Sequence, residues 1–193
     1  MRIIDISREL FSAPTYPGDP VPKRDIVRRI SAGDAYNLSG FYTGCHQATH
    51  VDAPLHFFED GKSIDQMDLS AFMGRCTVVE AKGIITGADM DRILPDCEKM
   101  ILFKGNGEAF FSESAAFAVS EAGIRLVGTD APSIETGDDT FPAHKQLLGA
   151  EIVILEGIDL SEAEPGNYDL IALPLCIGGA EASPVRAILL SKD

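Results

Sequence analysis

Residues 100–128, MILFKGNGEAFFSESAAFAVSEAGIRLVG, decide the fold class. The segment begins and ends with short apolar runs, 100–103 and 124–128, bounded by Gly and charged residues in the way that is typical of buried strands. Between the runs, residues 112–122 favour a helix with Ser112 as its N-cap and Gly123 just past its end. A strand, a helix and a strand in succession predict an α/β fold.

The same signals continue outward along the chain. Further strands are expected at residues 3–10, 26–30, 36–42, 77–81, 151–155 and 170–173. Further helices are expected at residues 87–94 and 142–148. The prolines at positions 14, 17 and 20 exclude regular structure from the loop that they share. The first 60 residues should therefore be rich in strands and loops, and the second half should alternate strands and helices.

Length and charge narrow the class of protein. A chain of 193 residues with 45% hydrophobic and 24% charged residues predicts one globular domain, 1–193. Sixteen Lys and Arg against thirty Asp and Glu give a net charge of -14, which disfavours nucleic acid and anionic membrane surfaces as partners. Its four cysteines form no C-x-x-C pair and are interpreted as reduced thiols. With no apolar leader and no apolar run near ~20 residues, a cytoplasmic location is expected.

Three of the four histidines fall within eleven residues, His46-Gln-Ala-Thr-His50-Val-Asp52-Ala-Pro54-Leu-His56. The offsets from His46 are all even, so an extended backbone would place the four polar side chains on one face. A helix fits worse, because Asp52 would lie about 200° around the axis from His50. Pro54 is expected to end the strand pairing and leave His56 on a loop that bends over the other three.

Two imidazoles and a carboxylate on one face suit Zn²⁺, Mn²⁺ or Fe²⁺ and leave coordination positions open for water and substrate. The alternative is a set of histidines that merely satisfy hydrogen bonds, which is the ordinary interpretation of a lone His. Cys45 precedes the cluster but has the wrong strand parity for it. It is interpreted as a small buried apolar side chain rather than as a nucleophile.

Weaker polar signals have two interpretations each. The sequence Gly105-Asn106-Gly107 favours a turn after a strand, with a cradle for an anion as the alternative. The pair Asp138-Asp139 favours a solvated turn, with a hydrogen bond to the free ring nitrogen of His144 as the alternative. Asp19 and Asp130 are likewise either turn residues or pocket residues.

The string His-x-x-Thr-His-x-Asp-Ala-Pro-x-His-Phe, residues 46–57, resembles the signature of the cyclase family, whose best-known members are metal-dependent bacterial kynurenine formamidases. His144 and Glu156 resemble a further family pair at a spacing of twelve. Similar stretches lie at residues 4–7, 16–19, 128–133 and 173–186. The chain departs from the family in two places, with Ala48 where the family has Gly and Tyr16 where the formamidases usually have Trp. The methyl group of Ala48 is expected to alter the pocket more than the metal site.

The resemblance implies the roles of six residues. His56 is implied as the catalytic acid/base, and the implied metal ligands are His46, His50, Asp52, His144 and Glu156. Because five ligands exceed what one catalytic zinc usually takes, two ions that share a carboxylate and a hydroxide are expected, with a single ion as the fallback. Zn²⁺ is the expected cofactor, with Mn²⁺ as the alternative, and coordination would lower the pKa of water to about 7.

The resemblance also implies a fold and a reaction. The fold is a swivelling β/β/α type with a barrel-like sheet core and surrounding helices, in a homodimer or homotetramer. The reaction is metal-dependent hydrolysis of a carbon–nitrogen amide bond by metal-bound hydroxide, with an aryl formamide such as N-formylkynurenine as the small-molecule substrate. The alternatives are hydrolysis of a cyclic, isatin-like amide and a non-catalytic protein that binds a metal or small molecule. His56 argues against the non-catalytic alternative, because a hydrolase requires it and the ligand set does not, and a panel of substrates would separate the two amides.

Overall fold

The computed structural model describes residues 1–137 and 140–191, so the Asp138-Asp139 pair considered above lies outside the described residues. The strands in chain order are β1 (Arg2–Asp5), β2 (Lys23–Arg28), β3 (Leu38–Tyr42), β4 (His50–Asp52), β5 (Met73–Glu80), β6 (Gly83–Ile85), β7 (Met100–Lys104), β8 (Ala109–Phe111), β9 (Leu126–Thr129), β10 (Val153–Glu156), β11 (Gly166–Ile171), β12 (Ala182–Pro184) and β13 (Ile188–Ser191). The α-helices are α1 (Gly87–Ile93), α2 (Glu113–Glu121) and α3 (Pro142–Gly149). None of the helices in the described part is long and apolar enough to cross a bilayer.

Nine of the strands form one sheet in the order β1-β13-β11-β5-β7-β9-β10-β4-β12, curled into a half-barrel. The four central strands β5, β7, β9 and β10 are parallel, and helices α1, α2 and α3 lie in the connections between them. The flanking strands pair antiparallel. Two further pairs, β2 with β3 and β6 with β8, lie outside this sheet. The predicted α/β fold with a barrel-like sheet is confirmed.

The central strands are apolar on both faces because two separate cores flank the sheet. On β7, Met100 and Leu102 face one core, while Ile101 and Phe103 face the other. Helices α1, α2 and α3 cover the second core, to which each contributes buried apolar side chains. Parallel strands covered on both faces are expected to be apolar without alternation, which is what residues 100–103 show.

Two of the strand predictions need correction. The strand expected at residues 3–10 is wrong beyond Asp5, where β1 ends. The extended run expected from His46 to Asp52 is also wrong, because only His50–Asp52 is a strand and His46 lies in a turn. The chain leaves the extended conformation at Ala48, whose φ of 58° is in the left-handed region. As expected, His56 lies beyond the strand, in the 3₁₀ turn Pro54–His56.

Candidate metal centre

Strand pairing brings the first polar residues of the centre together. Strand β4 pairs antiparallel with β10, which places His50 opposite Glu156 and Asp52 opposite Ile154. Val51 faces the first core, and Ile154 faces the second. Alternation along each strand therefore sends His50, Asp52 and Glu156 to the face that carries the helices.

The turn that holds His46 is fastened from two sides. Thr49 Oγ1 donates to the Gly157 carbonyl at 2.7 Å, and Gln47 Nε2 donates to two backbone carbonyls of residues 10 and 13. Gly157 has a φ of +63°, and a Cβ there would lie 2.4 Å from the Ala48 carbonyl oxygen. The turn that positions His46 therefore depends on a glycine at position 157, because a larger residue would displace its backbone.

His144 reaches the centre from the first turn of α3. The helix begins at Pro142, after Phe141 in a left-handed conformation. Glu135 then fixes the imidazole, because its Oε2 accepts from the backbone N–H of His144 at 2.7 Å and lies 2.9 Å from Nδ1. Both side chains are buried. Sequence reasoning missed Glu135, and no motif marked a carboxylate nine residues before a histidine.

Two carboxylates join the histidines into one buried cluster. Asp52 Oδ1 lies 3.0 Å from His46 Nδ1 and 3.5 Å from His50 Nε2. Glu156 Oε2 lies 3.3 Å from His50 Nε2, and its Oε1 lies 3.2 Å from His144 Nε2. The five side chains form two groups of potential ligands, His46/His50/Asp52 and Asp52/His144/Glu156, which share Asp52. All five predicted metal ligands are thus brought together.

The donor set fits a divalent cation. Among the described residues, His50 Nε2 and both carboxylate oxygens of Asp52 are buried and have no hydrogen-bond partner. Such atoms are costly to bury unless a cation occupies the space between them. Each histidine also has an acceptor for its other nitrogen: the Ala48 carbonyl for His50, Glu135 for His144 and Glu181 for His46. This arrangement fixes imidazoles for metal coordination.

In the metal-free protein, His50 and His144 hold protons at the position where a cation would bind. Burial opposes protonation of His50, but the adjacent carboxylates of Glu156 and Asp52 outweigh burial and raise its pKa to about 9. For His144, burial is outweighed by the hydrogen bonds to Glu135 and Glu156, and the pKa rises to about 10. Burial alone would raise the pKa of Glu156, yet the adjacent imidazoles of His144 and His50 hold it far below its usual range. The cluster therefore attracts positive charge strongly.

His56 lies over the cluster and outside both groups of potential ligands. Its ring centroid is 4.2 Å from that of His46 and 6.2 Å from that of His144. Burial lowers the pKa of His56, and the nearby charge of Asp52 opposes that shift only in part. The imidazole is therefore neutral at neutral pH and free to accept a proton.

A cavity of about 330 Å³ opens above the cluster. His56, Phe57 and Phe141 line it together with Tyr16 and Asp19, so Asp19 lies at the pocket. Phe57 packs against both His56 and His144, with ring centroids 4.5 Å and 5.3 Å apart. The cavity combines aromatic walls with a polar floor, which suits a small aromatic molecule with one reactive polar group.

The remaining polar candidates have structural roles. The loop Gly105-Asn106-Gly107 does cradle an anion, but the anion is the carboxylate of Asp130, which accepts from all three backbone N–H groups at 2.8 to 3.1 Å. Cys45 packs partly buried against the first core, and burial raises the pKa of its thiol. Both facts favour the apolar interpretation of Cys45 over a nucleophile.

Known proteins resemble this chain along nearly its whole length. The Cyclase family model matches residues 4–136, which include His46 to His56 and end before His144. The chain is 37% identical to a kynurenine formamidase of Sphingopyxis alaskensis, over 97% of both proteins. It is 38% identical to a kynurenine formamidase of Salinibacter ruber, over 98% of this chain and 97% of the relative.

Solved structures share the fold. A potential metal-dependent hydrolase with cyclase activity superposes with a TM-score of 0.84 at 29% identity, over 100% of this chain and 98% of the other. Isatin hydrolase A of Labrenzia aggregata superposes with a TM-score of 0.87 at 21% identity, over 99% of this chain and 94% of the other. At that identity, the second likeness shows the fold alone.

Proposed function

We propose, on the premise that this chain belongs to the cyclase family and is a metal-dependent amidohydrolase, that its substrate is an aryl formamide, with N-formylkynurenine as the first candidate. The observation that carries the substrate is the 37–38% identity to two kynurenine formamidases along nearly the full chain. The aromatic cavity above the polar cluster agrees with that substrate, because an aryl ring can pack against Phe57 and Phe141.

The proposed metal ligands are His46, His50, Asp52, His144 and Glu156. Two groups of potential ligands that share Asp52 support two ions, with Asp52 as the common carboxylate. Zn²⁺ is the proposed ion, with Mn²⁺ as the alternative, because imidazole and carboxylate donors suit both. A bound divalent ion supplies two things to amide hydrolysis: it polarises the carbonyl oxygen, and it lowers the pKa of water to about 7.

His56 is proposed as the acid/base. Its neutral ring accepts the proton that the attacking water releases and then gives it to the nitrogen of the departing amine. Two features support this role: the position of the ring above His46 and a pKa that burial lowers. Phe57 packs against His56 and limits the movement of its ring.

The first experiment measures turnover of N-formylkynurenine by protein stripped with chelator, then again after separate addition of Zn²⁺ and Mn²⁺. We expect activity to vanish on stripping and to return with Zn²⁺. His50→Ala is the control for the metal, because it should lose bound metal and activity together. Isatin is assayed beside the formamide, and turnover of isatin alone would replace the proposed substrate with the cyclic amide.

Other outcomes bear on the class of protein. Tightly bound metal with no hydrolysis of either compound, and unchanged metal content in His56→Ala, would favour a non-catalytic binding protein. The homodimer or homotetramer, the single domain over 1–193 and the cytoplasmic location stay predictions. Sedimentation measurements on the metal-loaded protein would test the assembly.

A further inference from the structure

A second cavity of about 340 Å³ adjoins the metal-site cavity. The two cavities share Tyr16, His46 and Pro132 in their walls. The shared residues make the two cavities neighbours, so a ligand whose ring lies above the metal cluster has the second space beside it. Its lining differs from the first, because it includes the charged residues Arg8 and Asp159.

Arg8 supplies the positive charge of this cavity. Its Nη2 donates to the backbone carbonyls of Asp130 and Ile158, at 3.0 Å and 3.3 Å, and the backbone N–H of Arg8 donates to Thr49 Oγ1 at 2.9 Å. The two bonds from Nη2 hold the guanidinium in the wall of this cavity. Arg8 forms no ion pair within 4.0 Å with a carboxylate of residues 1–137 and 140–191, although its charge contributes to lowering the pKa of Asp159. An oriented guanidinium is suited to bind a carboxylate.

Asp159 supplies the negative charge. Its Oδ1 accepts from the backbone N–H of Ser161 at 3.0 Å, which fixes the carboxylate. The other acidic residue of this lining, Asp130, is already occupied by the three N–H groups of the loop at residues 105–107. Asp159 is therefore the carboxylate that can bind a cation in this cavity.

We infer that the second cavity binds the zwitterionic amino-acid tail of the substrate, with Arg8 on its carboxylate and Asp159 on its ammonium group. This inference rests on the proposed function, because it assigns a place to the tail of an aryl formamide whose ring lies in the first cavity. N-formylkynurenine carries such a tail on an acyl chain next to the formamide. Formanilide and isatin have no charged tail, so Arg8 and Asp159 would select between these classes of substrate.

The test compares two substrates in each zinc-loaded protein and uses the ratio of kcat/KM for N-formylkynurenine to that for formanilide. The ratio cancels any loss of active protein that a substitution causes. In the wild type we expect the ratio to exceed ten. Arg8→Gln and Asp159→Asn each remove one charge and should each lower the ratio about tenfold, the effect expected for a lost hydrogen bond to a charged group.

Two further variants separate the tail site from general effects. Arg8→Lys keeps the positive charge and should retain much of the kcat/KM ratio that Arg8→Gln loses. Glu162→Gln removes a charge three residues from Asp159 at a side chain that is 76% exposed, and it should leave the ratio within twofold. Equal kcat/KM values for the two substrates in the wild type, or unchanged ratios in both charge-removing variants, would overturn the tail site alone. No turnover of either substrate would overturn the proposed function and the tail site with it.

Discussion

Ala48 offers a sharp test of how the ligand turn is built. Its φ of 58° lies in the left-handed region, where a side chain costs about 1–2 kcal/mol per residue. Ala48→Gly removes that cost, but it also gives the unfolded chain more freedom, which lowers stability by about 0.4–1 kcal/mol. The difference predicts a net gain of about 0.8 kcal/mol in the free energy of unfolding. For a chain of this size, such a gain raises Tm by roughly 2–3 °C.

Ala150→Gly is the matched control, because Ala150 is exposed and has a φ of -91°. The same change there relieves no strain, so stability should fall by about 0.4–1 kcal/mol. The unfolded-state contribution is common to both variants. Their difference of about 1.5 kcal/mol therefore isolates the cost of the left-handed conformation at Ala48.

Urea unfolding of the metal-free protein, in the presence of chelator, measures both free energies without a contribution from bound metal. Equal destabilisation by Ala48→Gly and Ala150→Gly would refute the reasoning, since it would mean that the turn carries no backbone strain at position 48.

Three predictions concern the metal cluster and His56. His56→Ala should lower kcat by about 10²–10⁴-fold and keep its metal, whereas His50→Ala should lose its metal. Elemental analysis together with kinetics distinguishes the two variants, and a normal kcat in His56→Ala would exclude the acid/base role. Protonation of His50 and His144 stabilises the metal-free fold, so the free energy of unfolding of the metal-free protein should fall as pH rises from about 6.5 through 9 and 10. Over the same range, titration calorimetry should show metal affinity rising, because fewer protons compete with the metal for the histidines. Glu135→Ala should weaken metal binding by about 10–100-fold because His144 loses its orienting partner, and an unchanged affinity in a chelator competition would contradict this.

The sequence predicted what depends on local periodicity. The strand and helix segments of residues 100–128 follow from apolar runs and from the N-cap Ser112, whose side chain accepts from Ala115 in the structure. Strand parity also correctly placed His50 and Asp52 on one face. Strands β6, β8 and β12 are only three residues long, and so short a segment carries no periodic signal.

Tertiary contacts could not be predicted in this way. Glu135 and Glu181 reach the histidines from loops, and their sequence distances from His144 and His46 follow no rule of spacing. The left-handed conformation of Ala48 could not be predicted from the sequence, because alanine, unlike glycine, does not indicate a positive φ. The closing of the turn depends on Gly157, more than a hundred positions further along the chain.

Strand β4, which carries His50 and Asp52, is enclosed on its outer side by β12, and β1 is paired with β13. All five proposed ligands precede residue 157, whereas both of these closing strands follow residue 181. During translation, a ribosome-bound chain therefore exposes every ligand before it can assemble the sheet that holds them. Stable retention of metal by this sheet is therefore expected only once residues 182–191 have been synthesised and paired.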